Sequence, residues 1–349
     1  MPSGAKTYKE QGMRIPEPNN SISALIDKHH ESKSESSRGH LGASLLGHPC
    51  DRYQWLSFRW AVIPKFPGRI LRLFRRGHME EATLVSDLRA IGIDLRHTGR
   101  DQKRVDFGAH VSGSIDAIAE SGVPESPNKR HVVEFKTHSV KSFADLEKHG
   151  VQKSKPQHYA QMQVYMAGTG IDRALYVAVC KDDDRLHTER IRYDEEAAKR
   201  LIERGHRIAL AERMPEPISA DPSWYQCKFC DAKDLCHSTK LTQEVNCRTC
   251  AHSTPTPESK WHCARWDDAI PFDNQQRGCD SHVLHPDLTP WPMGESDKEW
   301  SAVYVVKGLN VINGEDGYKS SELIANAEFC ASGAADWWKD KFPGARVVG

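Results

Sequence analysis

The chain of 349 residues has no net charge, because 48 Lys and Arg balance 48 Asp and Glu. No chain-wide basic field therefore announces a polyanionic partner. There is no run of 18 apolar residues, which argues against a helical membrane span. The first twenty residues, MPSGAKTYKEQGMRIPEPNN, contain no apolar stretch, so no secretory leader is expected. A cytoplasmic setting follows as the expectation, in a bacterial cell or an infected host cell. No G-x4-G-K-[ST] phosphate loop is present, so no nucleotide-driven motor is expected. Internal repeats are missing as well. Cysteine is not scarce: there are ten. In a reducing compartment ten cysteines read as metal ligands before they read as disulfides.

Composition shifts divide the chain. Residues 1–39 are polar and Ser-rich and read as a mobile tail, with a short helix near SISALIDKHH. LGASLLGHPCDRYQWLSFRWAV reads as a helix that holds Cys50, and Pro64, Pro67 and Gly68 break it. Beyond it, Leu71, Phe74, His78, Ala82, Val85 and Leu88 recur at steps of three and four. That spacing predicts an amphipathic helix of about five turns, with His78 on its apolar stripe. Three strand-like runs follow, QKRVDFG, HVSGSIDAIAE and HVVEFKTHS, the first two close enough for a hairpin. A helix over KPQHYAQMQVYMAGTG, two strands (RALYVAVCKD and LHTERIRYD) and a charged helix from Glu195 to Arg213 complete the pattern. A helix between strands predicts an α/β fold with a mixed sheet. Residues 40–240 form the expected main domain, 245–290 a cysteine module, and 295–349 a small appended α/β domain with a turn at Asn313-Gly314.

The third strand raises a question. Period 2 puts Glu134 and Lys136 on one face of an apolar run, and buried charges are costly unless paired or bound to a metal. Asp116 is the one acid between Ile115 and Ala117 in the preceding run, so antiparallel pairing would set it near Glu134. With His78 from the packed helix, two carboxylates and an imidazole suit Mg²⁺ or Mn²⁺. Such an ion polarises a phosphoryl oxygen, and the lysine stabilises developing negative charge. Upstream, residues 51–106 carry twelve Lys/Arg against seven Asp/Glu. Arg52, Arg69, Arg72, Arg75 and Arg76 are candidates for phosphates, whereas Tyr53, Trp55 and Trp60 read as helix core before they read as base-stacking groups.

Cys227-x2-Cys230-x5-Cys236 supplies three thiolates, one short of a closed site for zinc or a [4Fe–4S] cluster. Cys50 and His237 compete as the fourth ligand. Cys247-x2-Cys250-x12-Cys263-x15-Cys279 has the spacing of a zinc ribbon, with His252, His262 and His282 as substitutes. Arg248, Lys260, Trp261 and Arg265 would suit a DNA surface on that module. Cys180 reads as a buried small hydrophobe. Cys330 has no assigned part.

Taken in order, these residues resemble the PD-(D/E)XK nuclease superfamily, whose core is αβββαβ; Ile115 stands where the name has proline. His78, together with Gln161 and Tyr165 in QMQVY, resembles the RecB-type branch. Cys50 with Cys227, Cys230 and Cys236 resembles the subset that includes CRISPR-associated nucleases and the AddB subunit. The resemblance implies catalysis by Asp116, Glu134 and Lys136 with His78, Gln161 and Tyr165, and a structural [4Fe–4S] cluster on the four cysteines. Such a staple closes about 180 residues and is worth roughly 5 kcal/mol of chain entropy. It also implies exonuclease action on DNA with free ends in recombination, repair or viral end resection, beside a single-strand annealing or recombinase partner and with no membrane. The competing reading is a non-catalytic DNA-binding module, against which the complete set His78, Asp116, Glu134 and Lys136 weighs.

Overall fold

The computed structural model describes residues 21–33, 37–345 and 347. The tail expected over 1–39 therefore lies largely outside the described residues. The chain divides into two compact units. In the smaller, built from residues within 1–36 and from 65–76, helix α1 (Ile22–Glu31) starts at Ser21, whose hydroxyl accepts the Ala24 N–H at 3.3 Å. Asp27 pairs with Arg72, and Glu31 accepts the Gly68 N–H at 2.8 Å. Arg72 is thus already engaged, whereas Arg69 and Arg75 are exposed.

The larger unit holds the rest. Strand β1 (Leu41–Gly42) precedes helix α2 (Asp51–Phe58), which is shorter than the sequence suggests because Cys50 starts it. The Cys50 sulfur accepts the Tyr53 N–H at 3.4 Å as an N-cap. Helix α3 runs over Gly68–Ala90 and belongs to this unit from Gly77 onward. Leu84, Val85 and Leu88 bury against one face of the main sheet, but Phe74, His78 and Ala82 of the predicted stripe are exposed. Periodicity located the helix correctly and overstated how much of it is covered.

The main sheet has the order β2 (Leu95–Arg96), β5 (Ala117–Ala119), β6 (His131–His138), β7 (Arg173–Cys180) and β8 (Leu186–Arg192). Strands β6 and β7 are parallel and the other pairs antiparallel, a mixed sheet. Parallel neighbours need a long crossover. Helices α4 (Val140–Ser154) and α5 (Pro156–Thr169) provide it, and α4 escaped the sequence reading. A hairpin of β3 (Arg104–Gly108) and β4 (Val111–Ser114) pairs with β1 in a second sheet. The run HVSGSIDAIAE is therefore not one strand. It breaks at Ile115 and Asp116, where the chain leaves one sheet for the other. Helix α6 (Glu195–Ala209) packs with α2 and α5 over the opposite face, on Leu46, Trp55, Met162 and Ile208. Trp55 and Trp60 are buried, as core aromatics should be.

Past this core lie α7 (Tyr225–Lys228) and α8 (Lys233–His237), then a three-stranded sheet of β9 (Ser253–Pro255), β10 (Trp261–Cys263) and β11 (Asp268–Ala269), and α9 (Phe272–Arg277). This segment does not stand apart: Trp261, Leu284 and Leu288 belong to the main core with Leu46, Trp55 and Met162. Arg248 is buried, its guanidinium 3.7 Å from the Trp60 ring and donating to the carbonyls of Phe58 and Gly39 and to Gln275. Arg59 stacks on Trp55 and Trp261 beside it. Arg248 and Trp261 are thus core and not a nucleic-acid surface. The last elements are β12 (Ser301–Val306), β13 (Leu309–Gly314), α10 (Ser320–Ala331) and α11 (Ala334–Lys341). The hairpin turns at Lys307-Gly308, both with positive φ, as a two-residue loop requires. Asn313-Gly314 ends β13 instead. Among the described residues no helix is long and apolar enough to cross a membrane.

Candidate active site

Strand β6 is the middle strand of its sheet, and it is buried except at Lys136 and Thr137. Val133 and Phe135 point into the cluster under α3; Glu134, Lys136 and His138 alternate onto the other face. The register Ala117↔Val133 puts the next residue, Asp116, beside Glu134. Because β5 ends there, the Phe135 N–H has no strand partner, and the Asp116 carboxylate accepts it at 3.0 Å. The break in the strand therefore both frees Asp116 and fixes it.

Glu134 is fully buried. One oxygen accepts from the Lys136 ammonium and the other from the Gln161 amide at 3.1 Å. Gln161 also bonds the Tyr165 hydroxyl. Both come from α5, four residues apart on one helix face. Gly113 on β4 leaves room for that hydroxyl: a Cβ there would lie 2.7 Å from it. Asp116, Glu134, Lys136, Gln161 and Tyr165 thus meet at one place. His78 is exposed on α3, and among the described residues no hydrogen bond joins it to Asp116 or Glu134.

Glu81, one turn beyond His78, was not singled out from the sequence. Burial and the Asp116 charge push its carboxyl up, while Gln102 donates to it at 3.1 Å. Its spacing of three from His78 is the signal that could have found it. Burial, then the charge of Asp116, pushes Glu134 up to about 8. Burial opposes the Lys136 charge, but Glu134, Asp116 and Glu81 outweigh it and raise its pKa. Three carboxyl groups crowd one ammonium, and a hard cation among them would favour their charged forms. Among the described residues no group of three or more His, Cys, Asp and Glu side chains is arranged to hold a metal ion as it stands. The oxygen donors fit Mg²⁺ or Mn²⁺ by type and by charge.

The cysteines fall into two cavities. One is lined by Cys50, Cys227, Cys230 and Cys236, with His237 at its wall. The fold thus brings the single upstream cysteine to the three downstream ones. Arg52 lies against Cys236 and donates to the Pro215 carbonyl at 2.7 Å, which removes it from the phosphate candidates. The other cavity is lined by Cys247, Cys250, Cys263 and Cys279, with His252 and His282. Burial lifts the Cys236 thiol to about 11, Cys247 to about 12 and Cys250 to about 11, and neighbouring thiolates add to each rise. Thiols crowded in this way ionise when a cation joins them. His262 faces Asp267 at 3.2 Å, and His282 bonds Ser320 and Asn246. Cys180 is buried, and Cys330 packs in the C-terminal core.

The sequence profile of the PD-(D/E)XK nuclease superfamily matches residues 13–237, well over half of the chain. The chain belongs to that superfamily. No curated protein matches it. Distant likenesses to solved structures accompany the PD-(D/E)XK match. SSO0001 is 15% identical with a TM-score of 0.40, over 62% of this chain and 97% of that one. An alkaline exonuclease (LHK-Exo) from Laribacter hongkongensis is 17% identical with a TM-score of 0.33, over 52% and 90%. A phage related exonuclease from Haemophilus somnus 129PT is 18% identical with a TM-score of 0.28, over 38% and 67%. Likenesses this remote carry no weight for function.

Proposed function

We propose that this PD-(D/E)XK protein is a Mg²⁺- or Mn²⁺-dependent DNA exonuclease that hydrolyses phosphodiester bonds at free ends. The observation that carries the reading is the set of Asp116, Glu134 and Lys136 on one sheet face, with Gln161 of α5 bonded to Glu134. Asp116 and Glu134 would hold the ion, with Glu81 adding charge and His78 completing the set from α3. When bound, the ion supplies Lewis-acid polarisation of the phosphoryl oxygen and a more acidic water.

The chain's own groups do the rest. Lys136 keeps its proton between carboxylates, so it acts as a fixed positive charge beside the pentavalent phosphate and not as a base. Gln161 holds the Glu134 carboxylate in orientation, and Tyr165 holds Gln161. Burial of Glu134 removes competing water from this face.

The two cysteine sets have structural parts in this reading. Cys50, Cys227, Cys230 and Cys236 hold a [4Fe–4S] cluster that ties α2 to the segment after the core. Cys247, Cys250, Cys263 and Cys279 hold Zn²⁺. A process of DNA recombination, repair or viral end resection, with a single-strand annealing or recombinase partner, suits an end-directed enzyme.

The test is digestion of end-labelled linear and circular DNA with Mg²⁺ or Mn²⁺, by anaerobically purified protein and by Lys136→Ala. Loss of linear DNA that vanishes in the variant, with the circle spared, supports the reading. A wild type as inert as the variant refutes it and favours a DNA-binding scaffold.

A further inference from the structure

A second polar row lies next to the acidic set on the same sheet face. Tyr176 on β7 stands opposite Glu134 in the parallel register, and His138 lies two residues beyond Lys136 on β6. The Tyr176 hydroxyl is 2.8 Å from His138 Nε2 and 2.9 Å from His158 Nδ1. His138 Nδ1 is in turn 3.2 Å from the Ser142 hydroxyl in the first turn of α4. Tyr176 and His138 are buried. His158 is half-buried on α5, three residues before Gln161 and so on the same helix face. Its outer nitrogen, Nε2, has no protein partner among the described residues and is not sealed from solvent.

The donor count constrains this chain. A tyrosine hydroxyl has one proton, and a neutral imidazole has one N–H and one lone pair. For its own buried proton to be paired, Tyr176 donates to one histidine and accepts from the other. If Ser142 donates to His138, then His138 donates to Tyr176, Tyr176 donates to His158, and His158 Nε2 carries an outward N–H. Reversing every bond makes Nε2 an acceptor. Both imidazoles stay neutral, as this requires: burial, with Lys155 and Lys136 opposing a second proton, lowers His138 to about 4 and His158 to about 3.

We propose that Ser142, His138, Tyr176 and His158 form a proton relay that protonates the leaving oxygen during phosphodiester hydrolysis. The proposal rests on the nuclease reading and extends it to the acid side of the reaction. The attacking water forms the new P–O bond and its proton passes to solvent. The bond to the leaving oxygen breaks, and its electron pair stays on that oxygen. That oxygen takes the Nε2 proton of His158. His158 takes the Tyr176 proton at Nδ1, Tyr176 takes the Nε2 proton of His138, and His138 takes the Ser142 proton at Nδ1. Ser142, partly exposed, takes one from solvent. No ion is created within the row, which suits its burial.

The test compares wild type, Tyr176→Phe and His158→Ala on two DNA substrates in Mn²⁺. One has ordinary linkages. The other has sulfur at the bridging position, made in both the 3′ and 5′ forms, so that a thiolate leaves without needing a proton. General acid catalysis is worth on the order of 100-fold, so both variants should lose that much in kcat on ordinary DNA at unchanged affinity. On the sulfur substrate cleaved by the wild type, both should match it. A variant as fast as wild type on ordinary DNA, or as slow on the sulfur substrate as on the oxygen one, overturns the relay. Should Tyr176→Phe fail to fold, the half-exposed His158→Ala gives both readouts alone. A wild type inert on both substrates overturns the nuclease reading itself, an outcome distinct from an active wild type with unaffected variants.

Discussion

Replacing Glu134 by glutamine should stabilise the metal-free protein while abolishing its activity. Folding pushes this carboxyl from the ordinary 4.5 up to about 8, through burial and then the charge of Asp116. An acid raised by folding contributes its stability below 4.5, where both states are protonated, and loses it as pH climbs toward 8. At pH 7 the unfolded chain has already released this proton. Holding it in the fold therefore costs about 3 kcal/mol, from the gap between pH 7 and 4.5 at about 1.4 kcal/mol per pH unit. Glutamine has the shape of the protonated acid and escapes that cost; its oxygen still accepts from Lys136, and Gln161 can flip its amide to meet the new NH2. Urea unfolding of both proteins, without added Mg²⁺ or Mn²⁺, at pH 5, 7 and 8.5 measures the difference. The gap in favour of the variant should be small at pH 5, near 3 kcal/mol at pH 7, and level off at about 5 kcal/mol above pH 8. A gap that ignores pH, or a variant less stable throughout, would refute the claim that Glu134 is strained as an anion. The same variant should lose at least about 100-fold in DNA hydrolysis, because it can no longer offer a charged oxygen.

Gly113→Ala should lower both activity and stability, because the new Cβ meets the Tyr165 hydroxyl at 2.7 Å and the buried Ala43 Cβ at 2.9 Å; kcat and urea unfolding against the wild type, read beside Tyr165→Phe, check this. Gln161→Ala should cost about tenfold in kcat by releasing one Glu134 oxygen, with DNA affinity unchanged in a binding titration. Arg248→Met should cost about 3 kcal/mol or more in urea unfolding, since three buried acceptors lose their donor. Arg248→Lys should not restore it, because an ammonium cannot reproduce the planar stack on Trp60. Cys50→Ala should lower iron content and visible absorbance while leaving zinc content as it was, whereas Cys279→Ala should do the reverse.

Much of the site was readable from short-range pattern. Strand periodicity placed Glu134 and Lys136 together, and pairing of neighbouring runs placed Asp116 beside them, as the Ala117↔Val133 register confirms. Helical spacing placed Gln161 and Tyr165 on one face. What escaped depends on tertiary context. Arg248 is charged and near cysteines, so composition suggested a surface, yet the rings of Phe58 on α2, Trp60 just after it and Trp261 on β10 enclose it. The stripe on α3 was drawn through Phe74 and His78, and covering such a stripe requires a neighbour that sequence spacing cannot supply. Glu81 and the His138–Tyr176–His158 row draw their environment from α3, β6, β7 and α5 at once. The turn went to Asn313-Gly314 by turn statistics, whereas Lys307-Gly308 makes it and Asn313 instead accepts the Leu284 N–H at 2.7 Å.

The stack of Arg248 and Arg59 with Trp55, Trp60 and Trp261 also bears on the order of synthesis. A ribosome that has delivered Tyr176 has made every candidate catalytic side chain. It has not yet made Arg248, Trp261, Gln275 or Leu284, which close the core around α2. A nascent chain halted after the catalytic residues would therefore expose Trp55, Phe58 and Trp60 and remain a substrate for chaperones rather than an active enzyme. Activity would arrive only with the segment that takes no part in the chemistry, so that an incomplete chain cannot cut DNA.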